Sequence, residues 1–354
     1  MKKFLVLLLL LTGCRQSELN NNFFDLSECT PLTGSEILSD VELWNPQSIL
    51  AVKEGVIIDD HIDSHLLIYY KDLNNPSPQY LAPKGTGPFE FINTRITYYN
   101  HITDRLFIYD SQLKRTTEFD VTTTGIVTDT TTMRQVNLYS VNGHDVMPVK
   151  DGIIMGGPLD GKPFLLTDST GESVEPFGSY PQDAANISDP YSLGLIFQNR
   201  IITNPQGSRL AAASPFCDWM SFYEIEDGKP TLLKEYYSFP PNITASKPDA
   251  NTTSLNFGDD TLQTYSCMSA TENFVYVLYD GRTQKEIEQD KNVSRYILKF
   301  DWDGDYIEGY RIGERIYCFS VSRDDSRLFG LVDLGDENGE DNIIVKEYTL
   351  NSKK

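Results

Sequence analysis

The sequence predicts an all-β chain folded as a six-bladed β-propeller of four-stranded antiparallel blades. Three observations carry that expectation. Twenty Tyr and 18 Phe favour strands, while 24 Gly and 18 Pro supply frequent turns. A hairpin pattern recurs: residues Val56 to Tyr70 overlay Ile96 to Asp110 without a gap, and looser copies follow. No long stretch has the 3.6-residue apolar period of a core helix.

Taken in order, the chain opens with an address. Lys2 and Lys3 precede an apolar run from Phe4 to Leu11. A bilayer-spanning helix needs about 20 apolar residues, so this run reads as a secretory leader. Its end, Leu11-Thr12-Gly13-Cys14, resembles the bacterial lipobox. The resemblance implies removal of residues 1–13 and lipidation of Cys14, with 14–29 as a tether that includes Asn20, Asn21 and Asn22. The expected location is the bacterial cell envelope, anchored by lipid at the outer membrane and facing the periplasm or the surface.

The propeller is expected over 30–350 as one domain. Six turns precede the anchors Leu66, Leu106, Phe164, Leu210, Phe274 and Leu328, spaced for four-stranded units with variable loops. Further hairpins are expected where residues 117–121 and 126–130 flank Thr123-Thr124-Gly125, and around Asp301-Trp302-Asp303-Gly304-Asp305. Residues Gln284 to Lys291 form the one plausible helical turn, polar all round. Closure needs both termini: a segment within 26–44 is expected beside the C-terminal strand that ends at Leu350.

These repeats resemble the TolB-type propeller repeat, in which a serine–proline–aspartate–glycine turn precedes Arg-Leu and an apolar strand. Asn204-Pro205-Gln206-Gly207-Ser208-Arg209-Leu210 and Ser322 through Leu328 are the nearest copies. Gly85-Thr86-Gly87-Pro88-Phe89-Glu90-Phe91 resembles the Gly-x-Gly-Pro-x-Glu-Phe signature of six-bladed propeller lipoproteins from gut-type bacteria. Phe89 stands where a Gly is common in that signature. Phe177-Gly178-Ser179-Tyr180-Pro181 resembles the Gly-x-Tyr-Pro element of the same group. The resemblance implies the fold, and a surface or periplasmic binding role.

Charge narrows the partners. With 51 acidic against 30 basic side chains, the formal charge of −21 excludes a nucleic-acid partner, because phosphate binding needs clustered Lys and Arg. No G-x-S-x-G, H-E-x-x-H or G-K-[ST] motif occurs. Gly85-Thr86-Gly87 lacks the following helix of a phosphate loop. Asp301 to Asp305 fails as an EF-hand loop, since Tyr306 and Ile312 occupy its sixth and twelfth positions. Asp59, Asp60, His61, Asp63 and His65 form the densest ligand-like cluster. His101 falls at the matched turn of the overlay, which favours a repeat-wide turn role over a metal. No cofactor is expected. Cys29, Cys217, Cys267 and Cys318 allow three disulfide pairings in an exported protein, or buried free thiols.

Propeller topology says where a ligand would bind. The D–A connections and B–C turns share one face with the channel mouth, near residues 82–95, 178–200, 240–265, 280–294 and 309–316. Glu90, Arg95, Tyr180, Arg200, Tyr265 and Arg315 lie there near inner-strand starts, and are the candidate ligand-binding residues. The long connection from Phe239 to Tyr265, with little strand pattern, is expected to form a raised crown beside the mouth. The expected function is non-enzymatic binding of a protein, peptide or glycan at this face. The alternative is an exported hydrolase- or lactonase-like propeller with a metal in the channel.

Overall fold

The computed structural model describes residues 23–138, 143–159, 161–181, 189–238, 242–246, 253–289, 295–335 and 342–350. Two short strands open the chain, β1 (Thr30–Leu32) and β2 (Ser35–Ile37). Blade one is then β3 (Pro46–Val52), β4 (Gly55–Asp60), β5 (His65–Tyr70) and β6 (Pro78–Pro83). Blade two is β7 (Thr94–Asn100), β8 (Arg105–Asp110), β9 (Arg115–Asp120) and β10 (Arg134–Asn137). Blade three is β11 (Asp145–Val149), β12 (Gly152–Leu159), β13 (Lys162–Asp168) and β14 (Ser173–Phe177). After helix α1 (Pro190–Ile196), blade four is β15 (Arg200–Thr203), β16 (Arg209–Ala213), β17 (Trp219–Glu226) and β18 (Lys229–Tyr237). A separate hairpin follows, β19 (Ile243–Ser246) with β20 (Ser254–Phe257). Blade five is β21 (Leu262–Ala270), β22 (Phe274–Thr283), then helix α2 (Gln284–Gln289), β23 (Arg295–Asp301) and β24 (Tyr306–Ile312). Blade six is β25 (Arg315–Val321), β26 (Arg327–Asp333) and β27 (Ile343–Thr349), with β2 as its outer strand.

Each blade is an antiparallel meander, so its first strand lies innermost and its fourth outermost. The first strands contact one another in sequence around the ring, and β25 closes it against β3. Ring closure comes from both termini, as the sequence predicts. The Ser35–Ile37 strand pairs antiparallel with Val345–Glu347 of β27, completing the last blade with N-terminal chain. The sequence does not anticipate β1, which adds in parallel as a fifth strand outside β24.

Apolar side chains fill the gaps between blades. One cluster, around Leu106, Ile108 and Phe119, joins blades one and two; another, around Phe222, Val277 and Phe300, joins blades four and five. Near the axis, hydroxyls stitch the inner strands. Ser320 Oγ accepts from Ala51 N at 2.9 Å, and Ser269 Oγ accepts from Val321 N at 2.9 Å. Thr203 Oγ1 donates to Pro148 O at 2.9 Å, and Tyr317 Oη to Pro46 O at 2.9 Å. The seam between blades six and one is therefore built like the others.

The structure shifts the phase of the sequence repeat. Leu106, Leu210, Phe274 and Leu328 lie on second strands, but Leu66 and Phe164 lie on third strands. The gapless overlay of residues 56–70 on 96–110 thus places a second–third hairpin on a first–second hairpin. Apolar strand, polar turn, apolar strand describes every hairpin of a meander, so the pattern counts hairpins correctly without fixing their phase. His61 and His101 consequently sit on opposite faces, His61 after β4 and His101 after β7. Residues 126–130 also differ from expectation. Ile126 only bridges to Val121, and the outer partner of β9 is β10.

Candidate functional site

The axial channel is lined by the inner strands of all six blades, β3, β7, β11, β15, β21 and β25 contributing residues around a cavity of about 290 Å³. Its two ends differ. The face carrying the fourth-to-first connections and second-to-third turns is edged by Gln47, Asp145, Arg200, Ser266 and Tyr317. The opposite end is edged by Lys53, His101, Arg323 and Arg327. There Lys53 pairs with Asp104 at 2.9 Å, and His101 lies 3.8 Å from Glu272. Burial holds the His101 imidazole below its ordinary range.

Arg200, the first residue of β15, stands at the mouth. Its Nη1 donates to Asp145 Oδ1 at 3.2 Å, while half of its side chain stays exposed to the channel. Asp145 is buried and also accepts from Ile201 N at 3.2 Å, so it fixes both ends of that first residue. The Asp145 charge raises the Arg200 pKa, so the guanidinium stays charged. Arg315 repeats the arrangement in blade six. It is the first residue of β25, pairs with Asp333 at 2.9 Å and is more than half exposed. Between them, in blade five, Asp280 holds Arg282 at 2.6 Å and Arg295 at 3.1 Å. A strongly acidic chain thus gathers arginines at one sector of one face, each tied to a buried aspartate. Such pairing pre-orients the fork of guanidinium donors.

The remaining candidates have other surroundings. Glu90 caps its own turn, accepting from Gly87 N at 2.8 Å. Gly85, at φ +156, brings the backbone so close that a Cβ there would lie 2.0 Å from Glu90 Oε2. Arg115 Nη2 donates to Gly87 O at 3.0 Å and to Glu90 O, and Phe91 is fully buried. The Gly-x-Gly-Pro-x-Glu-Phe element is therefore a clamp between blades one and two. Tyr180 donates to Lys162 O at 3.2 Å and packs near Phe197 and Trp219, seating α1. Tyr265 is fully buried within β21 and donates to Asp218. Arg95 lies in β7, with its side chain outside the described residues. Cys14 also lies outside them. Of the six channel-face candidates, Arg200 is an exposed charged group at the channel mouth, and Arg315 is one on the same face at the start of β25.

The connection 239–265 is not a structureless crown. It contains the β19–β20 hairpin and the start of β21, with 239–241 and 247–252 outside the described residues. Ile243 joins Phe197, Cys217 and Trp219 in an apolar cluster, and Phe257 packs 5.1 Å from Phe216. Alternating apolar residues at 243, 245, 255 and 257 give the hairpin its inner side.

The aspartate cluster near His61 resolves into separate tasks. Asp60 accepts from Asn45 N at 2.6 Å and from Trp44 N at 3.1 Å, fixing the approach to β3. Asp110 does the same for β7, accepting from Ile92 N at 2.6 Å. Asp59 is buried, accepts from Thr94 Oγ1 at 3.0 Å and lies 3.0 Å from His61 Nε2. His65 contacts Ser64 Oγ at 2.9 Å. Among the described residues, no group of three or more His, Cys, Asp or Glu side chains is arranged to hold a metal ion. Sequence reading missed Asp145, Asp280, Arg282 and Arg295. An acidic residue ends second strands at Asp60, Asp110 and Asp333, a signal that extends to Asp280 near the end of β22 and not to Asp145, which opens β11.

The same face exposes large apolar side chains. Trp44 is 70% exposed, and Ile92, Tyr191, Phe257 and Leu334 are each more than a third exposed. All five lie on the connections of the mouth face.

Comparison with protein families matches residues 32–324 to a family described as TolB-like 6-blade propeller-like. Comparison with curated proteins gives no match. Among solved structures, the chain is similar to a putative exported protein of Bacteroides fragilis at 14% identity and TM-score 0.51, covering 91% of this chain and 95% of that one. It is also similar to a member of the DUF4221 family from Bacteroides vulgatus at 12% identity and TM-score 0.53, covering 91% and 98%. At these identities the likeness concerns the fold.

Proposed function

This chain belongs to the TolB-like six-bladed propeller family, and from that scaffold we propose a lipid-anchored cell-envelope protein that binds a protein or peptide partner, without catalysing a reaction, at the mouth face of the channel. The observation that carries the reading is the coincidence on one face of exposed apolar residues with pre-oriented arginines. Trp44, Tyr191 and Phe257 offer rigid apolar area, and Arg200 and Arg315 offer charged forks at inner-strand starts. Aromatic and Arg side chains are the usual energetic centres of interfaces, and loops on a rigid scaffold are the usual carriers of binding. A carboxylate-bearing segment suits the guanidinium of Arg200. Export and anchoring are supported by the leader, by Cys14, and by the description of the Bacteroides fragilis relative as a putative exported protein.

The test is co-purification from native membranes with partner identification by mass spectrometry. The wild type and an Ile102→Ala variant, changed on the opposite face, should recover the same partner. A Trp44→Ala/Arg200→Ala variant, verified as folded by its far-ultraviolet circular dichroism, should lose it. Retention by that double variant together with loss from Ile102→Ala would place binding on the other face and overturn the reading.

A further inference from the structure

Among the four described cysteines, one pair meets. Cys267 Sγ and Cys318 Sγ lie 3.0 Å apart on β21 and β25, the innermost strands of blades five and six, and both line the channel cavity. We propose that Cys267 and Cys318 are a built redox pair that closes to a disulfide, joining blades five and six through the channel wall.

The placement follows from the strands. Cys267 stands two residues before Ser269, whose hydroxyl accepts from Val321 N of β25. Alternation along a strand therefore turns Cys267 toward blade six as well. Each cysteine also follows a register shift, between Tyr265 and Cys267 and between Ile316 and Cys318. Such irregularities re-aim a side chain. The other two cysteines are held elsewhere. Cys29 packs over Gly309 on the outer part of blade five. Cys217 is fully buried with Ile196, Phe197 and Trp219, and burial pushes its thiol up to about 12. The fold therefore presents Cys267–Cys318 as a single bond and leaves Cys29 and Cys217 as separate buried thiols.

The pair is also chemically prepared. The shared hydrogen bond favours a thiolate at Cys318 and pushes Cys267 up, and the nearby Arg200 charge favours the thiolate at both. A thiol and its neighbouring thiolate titrate as one unit, and the thiolate is the nucleophile. The oxidant is a disulfide, either of a thiol–disulfide oxidoreductase or of a small thiol that enters the channel. The thiolate attacks one sulfur of that disulfide, forming a mixed disulfide and expelling a thiolate that takes up a proton. The second cysteine loses its proton to solvent and attacks the protein sulfur of the mixed disulfide. The second oxidant thiolate then leaves. Two cysteine thiols lose two protons and two electrons, and one oxidant disulfide becomes two thiols. Closing the bond removes the ionisable sulfurs facing Arg200 while its Asp145 partner stays, so the charge at the mouth changes with oxidation state.

The pairing is a property of the folded chain and is tested with added oxidant, apart from any question of export or partner. Reduced, purified full-length protein is incubated with oxidised glutathione, alkylated with N-ethylmaleimide and digested without reduction. Mass spectrometry should find the Cys267 and Cys318 peptides joined and two hydrogens lighter than their sum, with Cys29 and Cys217 alkylated after denaturation. Cys267→Ser and Cys318→Ser should each abolish that joined species. Full alkylation of both Cys267 and Cys318 after oxidation, or their linkage to Cys29 or Cys217, would overturn the proposal. The decisive reading needs only the wild type, so misfolding of a variant does not blunt it.

Discussion

Tyr265 donates its hydroxyl to Asp218 across the seam between blades four and five, both groups being fully buried. Asp218 takes a second hydrogen bond from Ser238 Oγ at 2.5 Å, and burial raises its pKa. A tyrosine near an inner-strand start, which from sequence alone resembles a binding residue, is here the donor that satisfies a buried acid.

Tyr265→Phe should therefore cost stability rather than recognition. Removing one partner of a buried polar pair typically costs about 1–3 kcal/mol, more when the orphan is charged. Denaturant unfolding should register that loss, while partner capture by the folded protein stays at the wild-type level. An unchanged unfolding midpoint would remove Tyr265 from the seam.

Phe89 sits at φ 60 inside the clamp between blades one and two. Left-handed backbone costs an L-residue roughly 1–2 kcal/mol, which is the physical reason a Gly suits this position. Comparing Phe89→Gly with Phe89→Ala cancels the loss of the ring and isolates the backbone. The Gly variant should be more stable than the Ala variant by about 1 kcal/mol. Equal stabilities would contradict the strain.

His61 beside buried Asp59 predicts a pH dependence. Its pKa is raised, first by the hydrogen bond with Asp59. A raised folded value means that its contribution is fully present below the unfolded value near about 6.5 and is lost as pH rises through the folded value. Burial raises Asp59 too, so it contributes with the same sign at lower pH. The melting-temperature gap between wild type and His61→Asn should be wider near pH 6 than near pH 9 on the scale set by those values. A gap independent of pH would remove the charged pair from the account.

Lipidation at Cys14 is tested separately from the fold. Metabolic labelling with a fatty-acid analogue should mark the wild type and leave Cys14→Ala unmarked. Equal labelling of both would dispose of the anchor.

Much of the architecture was legible because it rests on local rules. Strand content, turn chemistry and hairpin count come from residues close in sequence, and a segment within 26–44 is expected beside the last strand because a propeller must close; the strand that does so is Ser35–Ile37. The resemblance to TolB-type repeats rests on the same turns. At Asn204, the side-chain Oδ1 accepts from Ser208 N at 2.8 Å and Arg209 N at 3.0 Å. At Ser322, Oγ accepts from Arg327 N at 2.9 Å. These turns lie between first and second strands, on the face away from Arg200.

What the sequence by itself determined is thus the strand-turn grammar of a six-bladed meander and its closure, since each depends on period-two patterning and short turns. Tertiary structure alone decided which hairpin is first–second and which second–third, because every hairpin carries the same local pattern. It alone separated His61 from His101, buried Tyr265 against Asp218, and left Arg200 open at the mouth beside Asp145. It also brought Cys267 to Cys318 across 51 residues of chain. Each of these is a contact between strands distant in sequence, set by ring closure and blade packing, and no local signal encodes such a distance.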